Sequence, residues 1–183
     1  MCIRDSRYLD QEKVRKALDS AQSFGASYAE VRVVALTEST VAMRDGALEK
    51  AIPGQELGMT LRVLADGAWG VHSTTDLASL NDQIESTTRL AKAVAQRRSP
   101  SERPKALAEV PVIEDETHWR SKLDVRHTEL DEKIRLMNEM HSGATGHEDI
   151  VSVRTGWSDE HIHTELMTTE GMDRVWSFQR SLI

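Results

Sequence analysis

Residues 57–70 read LGMTLRVLADGAWG, and this stretch decides the fold because it predicts a tight β-hairpin. Met59, Leu61 and Val63 alternate along the chain, which is the period of a strand with one buried face. Asp66-Gly67 is typical of a type I′ turn, since both central residues of that turn have positive φ. Residues 68–71 can then run back beside the first strand.

A second Asp-Gly pair predicts another hairpin upstream. Asp45-Gly46 lies between residues 40–43 and residues 47–49, and residues 28–36 carry a further alternating pattern. Together these segments predict an antiparallel meander of about four or five strands.

Helices are predicted before and after these strands in the sequence. Between Asp10 and Phe24 apolar residues recur at spacings of three and four, which indicates an amphipathic helix ending before Gly25. Asp76 is expected to cap the N-terminus of a second helix that reaches Arg97. Two helices over one sheet face give an α+β domain spanning residues 10–98.

The rest of the chain divides into three parts. Residues 1–9 match no downstream pattern and are interpreted as a leader or an assembly scar. Residues 99–124 hold three of the four prolines and predict a linker. Residues 125–183 are predicted to form a second α+β segment, truncated because the chain stops during a strand. A recurring helix, strand and turn order in residues 23–49 and 142–173 fits either an internal duplication or two unrelated pieces.

Within the second segment, the pattern predicts one helix followed by short strands. The helix is expected to start near Thr128 and to end at the glycines Gly143 and Gly146. A strand is expected to begin near Ile150, to turn at residues 157–160 and to return over residues 161–168. Glu170-Gly171 is expected to turn the chain into a further strand containing Val175 and Trp176.

Composition excludes several functional classes. The net charge is −7, and basic residues are scattered, so no nucleic-acid partner is expected. No apolar run is long enough to span a bilayer, so no membrane partner is expected. Cys2 is the single cysteine, which excludes an internal disulfide and fits a reducing, cytoplasmic setting.

Two histidine motifs could suggest a metal site. His147-Glu148 opens like a zinc-peptidase motif, but the position of a second histidine four residues on is occupied by Val151. His161 and His163 would share one face of a strand, with Glu160 or Glu165 nearby, yet no further ligand is evident and exposed histidine pairs are common. The residues therefore assign no catalytic, cofactor-binding or metal-binding site.

The sequence gives less support to a nucleophilic active site or to a phosphate-binding loop. The sequence has no Gly-x-Ser-x-Gly elbow, and its glycines fall in hairpins rather than between a strand and a helix. Trp119, Trp157 and Trp176 are interpreted as core or interface anchors.

Several motifs resemble those of one protein family. Residues 25–32, GASYAEVR, resemble the GA-x-YA-[DE]-[VL]-R start of TldD/PmbA proteins, also called modulators of DNA gyrase. Residues 44–49, RDGALE, are similar to the family's x-[ND]-G-x-[LV]-E. Residues 57–70 resemble its GxGVRVLxDGAWGF hairpin, with Met59 and Thr60 in place of the usual small and β-branched residues. Thr168-Thr169-Glu170-Gly171 resembles its N-[ST]-[DE]-G turn.

The resemblance implies a zinc-dependent peptidase that acts on peptides or unfolded segments in the cytoplasm. Family members form dimers, either with themselves or with a sister subunit. The family's zinc motif lies after the N-[ST]-[DE]-G turn, and nothing in this sequence matches it. The chain is therefore expected to be the N-terminal scaffold, substrate-cleft and dimerisation part, without zinc and inactive alone, and the RVL-x-DGAWG form favours the TldD side.

Two alternatives remain from other functional classes. The chain could be a stand-alone, non-enzymatic protein-interaction module. It could instead be a small metal protein that uses His161 and His163.

Overall fold

The computed structural model describes residues 7–99, 101, 107–119, 122 and 124–183. Cys2, Pro100 and Pro104 lie outside these residues. The described helices are α1 (Gln11–Ser23), α2 (Leu80–Gln96) and α3 (Leu130–Ala144), with a 3-10 turn at Val125–His127. The described strands are β1 (Ala26–Arg44), β2 (Ala47–Ala65), β3 (Ala68–Thr74), β4 (Glu114–His118), β5 (Arg154–Thr168) and β6 (Asp173–Leu182).

The strands form a six-stranded sheet in the order β3-β2-β1-β5-β6-β4. Both predicted Asp-Gly turns are confirmed: φ is 49° at Asp45, 79° at Gly46, 51° at Asp66 and 73° at Gly67. Positive φ at both central residues is the type I′ geometry, whose twist matches that of the flanking strands. Beyond the second turn β2 pairs with β3 antiparallel, from Ala65 opposite Ala68 to Met59 opposite Thr74.

The sheet is antiparallel apart from β4. The backbone of Asp45 bonds to Val153 and that of Thr169 to Ala29, so β5 runs opposite to β1. Ile113 bonds to Asp173 and Trp119 to Ser177, so residue numbers rise together along β4 and β6. The predicted α+β class is confirmed, and the parallel β4 makes the sheet mixed rather than a pure meander.

The chain divides into two compact units that are discontinuous in sequence. Unit 1 holds the described residues up to Val34, Leu57–Thr117 and Thr164–Trp176. Unit 2 holds the described residues of Ala35–Glu56, His118–His163 and Ser177–Ile183. Strands β1, β2, β4, β5 and β6 contribute residues to both units. The domain boundaries drawn from the sequence stay a prediction.

Unit 1 carries the larger apolar core. Asp10 caps α1 by accepting hydrogen bonds from the backbone N–H groups of Glu12 and Lys13. The predicted inner face of α1 is confirmed, and it packs with the alternating residues of β1 and β2. The buried members of this core are Val14, Ala17, Leu18, Ala21, Ala26, Ala29, Val31, Val33, Met59, Leu61, Val63, Leu80, Ile84 and Met167.

Residues 7–9, which the sequence assigns to a leader or scar, contact this unit. Tyr8 and Leu9 pack against the core, and their backbone N–H groups donate to the Glu165 carboxylate. Arg7 forms an ion pair with Asp173 at 2.6 Å.

Helix α2 lies close to strand β3 at Gly70. A Cβ atom there would lie 2.4 Å from the Thr87 carbonyl oxygen and 3.1 Å from the Ala91 backbone nitrogen. Both neighbours are backbone atoms of α2, which cannot move aside as a flexible side chain does. Position 70 therefore requires glycine, because any side chain there would meet the α2 backbone.

We expect Gly70→Ala to destabilise the protein by about 1–3 kcal/mol, because the added methyl overpacks the contact between β3 and α2. The matched control is Gly58→Ala on β2, where the nearest atom to an added Cβ lies 3.9 Å away. Thermal unfolding of the two variants checks this expectation. An equal loss in both variants would contradict the account of Gly70.

Unit 2 has a smaller core beneath α3. Met137 is fully buried against Val41, Met43 and Trp157, with Ile134 and Leu136 partly buried around them. The predicted helix in this region is confirmed, although it runs through Gly143 to Ala144.

Three local predictions were wrong. Helix α2 begins at Leu80 because the Asp76 carboxylate accepts from the backbone of Ala78 and Ser79 and forms a turn before the helix. The strand expected near Ile150 begins at Arg154, and Val151 is 97% exposed. No turn interrupts residues 157–160, since β5 is continuous over 154–168.

Candidate functional site

His147 and Glu148 lie in the exposed turn between α3 and β5. Neither residue is on a helix face or a strand face that could present two ligands together. Within the described residues, no group of three or more His, Cys, Asp or Glu side chains is placed to hold a metal ion. The expectation that His147-Glu148 is not a metal site stays a prediction.

His161 and His163 share the inward face of β5, as the sequence predicts, but they are buried rather than exposed. Each is only 4% exposed. The His163 ring stacks on His118 with ring centroids 6.4 Å apart, and His118 Nδ1 lies 2.7 Å from Ser177 Oγ. The predicted carboxylate neighbours have other partners: Glu160 pairs with Arg180, and Glu165 accepts from Tyr8 and Leu9.

Residues from separate sequence motifs meet in one cluster in unit 1. Tyr28 donates a hydrogen bond to Glu30 at 2.7 Å, and Arg62 forms an ion pair with Glu30 at 3.2 Å. The Arg62 guanidinium lies 4.6 Å from the centre of the Trp69 ring, which packs edge-on against Tyr28. Burial, followed by the hydrogen bond to Glu30, raises the pKa of Tyr28 above its usual range. The cluster ties β1, β2 and β3 together at the hairpin.

Unit 2 contains a pocket of about 270 Å³ with a buried charged floor. Lys133 Nζ lies 2.6 Å from Asp159 Oδ2, and these side chains are 5% and 3% exposed. Lys133 also donates to Ser39 Oγ at 2.6 Å. Ser181 donates to the other carboxylate oxygen of Asp159 at 2.6 Å. The network joins α3, β1, β5 and β6 within unit 2.

The chemistry of this network favours binding over nucleophilic catalysis. Burial tends to raise the pKa of Asp159, but hydrogen bonds from Lys133 and Ser181 outweigh it, and the pKa is lowered. Lys133 Nζ donates to Ser39 Oγ and contacts Asp159, so its geometry is that of a donor to Ser39 rather than of a base. Lys133 can instead serve as a fixed hydrogen-bond donor.

Sequence reasoning missed this network, although its signals were present. Lys133 lies one turn before the buried Met137, on the inward face of α3. Asp159 alternates with Trp157 and His161 on the inward face of β5. A charged residue at each of two inward positions is unusual, and such residues are normally paired when buried.

A second carboxyl group with a lowered pKa, Asp124, pairs with the pocket residue Arg126 and predicts acid sensitivity. The hydrogen bond from Arg126 lowers the pKa of Asp124 to about 2. Because the folded pKa is below the unfolded value of about 4, the stabilisation is fully present above pH 4 and is lost as pH falls through about 2. The pKa of Asp159 is lowered as well, so protonation of Asp159 also removes folding stability as the pH falls.

Urea unfolding at successive pH values checks this expectation. The stability difference between the native chain and Asp124→Asn should shrink as the pH falls from 5 towards about 2. A difference that stays constant over this range would contradict the assigned role of Asp124.

None of the described helices combines the length and apolar character that a membrane-spanning helix requires.

Part of the chain matches a known protein-domain family. Residues 29–96 match the family described as PmbA/TldA metallopeptidase domain 1. The chain is 26% identical over 164 residues to the metalloprotease MJ0996 of Methanocaldococcus jannaschii, covering 89% of this chain and 35% of that protein. The chain thus spans about a third of the length of this curated relative.

Solved structures share the fold at lower sequence identity. A modulator of DNA gyrase from Thermotoga maritima superposes with a TM-score of 0.70 at 17% identity, covering 93% of this chain and 38% of that one. A counterpart from Bacteroides thetaiotaomicron gives a TM-score of 0.68 at 20% identity, covering 94% and 40%. Residues 29–96 thus match the first domain of PmbA/TldD-type metallopeptidases, and the chain shares its fold with these two modulators of DNA gyrase.

Proposed function

We propose that this chain is the scaffold and substrate-cleft part of a zinc-dependent peptidase that acts on peptides or unfolded segments in the cytoplasm. The observation that carries the proposal is the similarity to a metalloprotease over 89% of this chain. The match to a metallopeptidase domain supports it. Because the chain spans 35% of that relative, the peptidase activity is assigned to the full-length polypeptide.

The described residues do not fit a zinc site. Structural zinc takes four protein ligands and catalytic zinc takes three plus water. His161 and His163 supply two imidazoles, but the Glu160 and Glu165 carboxylates are bound to Arg180 and to the backbone of residues 8 and 9. The proposal therefore assigns the zinc ligands to residues outside this chain, and it derives no catalytic step from the side chains described above.

The same proposal includes the formation of a dimer. The full-length polypeptide is proposed to form a dimer with itself or with a sister subunit. The exposed apolar residues of the chain include Trp119, at 56% exposure, and tryptophan is a common anchor in interfaces.

Hydrolysis of a fluorescently labelled unfolded polypeptide tests the proposed activity. The full-length polypeptide should cleave it, lose activity with a metal chelator and regain activity with zinc, while the 183-residue chain alone should not cleave it. Turnover by the 183-residue chain would overturn the assignment of the catalytic residues. A full-length polypeptide without turnover or metal would instead support the alternative of a non-enzymatic protein-interaction role.

A further inference from the structure

The pocket of unit 2 has the dimensions of a site for one amino-acid residue. Its volume of about 270 Å³ is just below the range of roughly 300–1,000 Å³ that holds drug-sized ligands. The rim carries exposed apolar side chains, with Ile52 at 52% and Leu130 at 42% exposure. The apolar lining consists of Val41, Ala51, Ile52, Pro53, Val125 and Leu130.

The floor of the pocket presents a hydrogen-bond donor that the described residues do not fully use. An ammonium group has three N–H donors. In Lys133 two of them are directed to Ser39 and Asp159, and the third has no acceptor in the described part of the chain. Lys133 lines the pocket, and the inference places a ligand oxygen at this third donor. A buried donor without an acceptor costs about 1–3 kcal/mol, so a ligand oxygen there would be stabilising.

The charges around the pocket favour a neutral oxygen over an anionic one. Asp159 compensates Lys133, and Asp124 compensates Arg126 at 2.7 Å. Glu38 adds a further negative charge to the lining. Among the described residues, Glu38 has no cation partner, so a carboxylate or phosphate ligand would meet a second negative charge in the pocket. A peptide carbonyl has no such penalty.

We infer that this pocket binds one uncharged, apolar residue of an extended peptide, with the main-chain carbonyl of that segment accepting a hydrogen bond from Lys133. The apolar side chain contacts Ile52 and Leu130 at the rim. The inference rests on the proposed function, which supplies peptides as the ligand class, and it names the residue class that the substrate cleft selects.

Calorimetric titration with blocked pentapeptides tests the inference on the 183-residue chain without zinc. The probes carry leucine, aspartate or lysine at the centre of an otherwise all-glycine peptide. The leucine peptide should bind at least about tenfold more tightly than the two charged peptides, because burying a leucine side chain contributes about 1.5–3 kcal/mol. No binding of the leucine peptide, or equal binding of all three, would overturn the inference.

Rim variants with matched controls locate the binding site. Ile52→Glu and Leu130→Glu should each weaken leucine-peptide binding about tenfold, since a carboxylate replaces an apolar contact. Leu48→Glu on the same strand and Met140→Glu on the same helix have similar exposure, 48% and 47%, and lie outside the pocket lining. These controls should bind within about twofold of the native chain. Equal weakening in rim and control variants would overturn the assignment to this pocket.

A double variant tests the Lys133 donor while keeping the fold. Lys133→Met combined with Asp159→Leu replaces a buried ion pair by apolar side chains, which is often neutral for stability. Peptide binding should fall about tenfold or more, with an unchanged circular dichroism spectrum. Undiminished binding would overturn the role of Lys133. Zinc content and hydrolysis by the full-length polypeptide decide the proposed function separately, since this titration uses neither.

Discussion

Replacing Lys133 by methionine is expected to destabilise the protein by about 3–5 kcal/mol, because it leaves the Asp159 carboxylate buried without its cation. Asp159 is 3% exposed, so water cannot solvate the charge that remains. Ser39 and Ser181 can still face the carboxylate, but neutral hydroxyl groups compensate less than an ammonium does. For a chain of this size the loss corresponds to a fall in Tm of about 6–20 °C.

Two variants separate this effect from a general loss of charge on α3. Arg135→Met removes a cation from the same helix, but Arg135 and its partner Glu139 are 59% and 60% exposed. Its cost should stay below about 1 kcal/mol because water screens exposed ion pairs. Lys133→Met with Asp159→Leu should recover most of the stability lost in the single variant. A single variant as stable as the native chain would contradict the buried ion pair.

Truncation of Leu61 to alanine is expected to cost about 2–5 kcal/mol. Leu61 is fully buried in the core of unit 1, between Met59 and Val63 on the same face of β2. Removing its side chain deletes apolar contact and leaves a cavity that the rigid sheet can only partly close. Denaturant unfolding of the full chain measures the loss.

The matched control lies on the same strand. Leu48→Ala removes the same atoms from a side chain that is 48% exposed, and it should change stability by about 0.5 kcal/mol or less. Similar losses at Leu48 and Leu61 would show that the alternation of β2 does not define the core face.

The hairpins were predictable because their information is local. Asp66 and Gly67 adopt the positive φ that the type I′ turn requires, and the alternation of residues 59–63 fixes which side chains are buried. The inner face of α1 follows from the same kind of periodicity. The parallel placement of β4 beside β6 depends on contacts between distant segments, and no local pattern in residues 114–118 encodes it.

The second segment was harder to predict because its buried strand carries polar residues. Asp159, His161 and His163 face inward with 4% exposure or less, which a hydropathy pattern assigns to solvent. Their burial depends on partners such as Lys133 and His118 that come from other elements. The turn predicted at residues 157–160 was wrong for this reason, and the pocket beside Asp159 could not be found from spacing.

The residues of the family-like motifs, in contrast, were recognisable from the sequence. Tyr28, Glu30, Arg62 and Trp69 belong to two separate stretches that resemble the family, and they form one contact cluster in unit 1. The resemblance thus identified residues that hold the hairpins together. The preference for the TldD side, the cytoplasmic setting and the absence of a nucleic-acid partner stay predictions.

The most direct test of the central claim is the zinc content of purified protein, measured by atomic emission after dialysis against buffer without metal. The account predicts about one zinc per full-length polypeptide and none retained by the 183-residue chain. Stoichiometric zinc in the 183-residue chain, lost in a variant with both His161→Ala and His163→Ala, would contradict the assignment of the metal ligands to residues outside this chain.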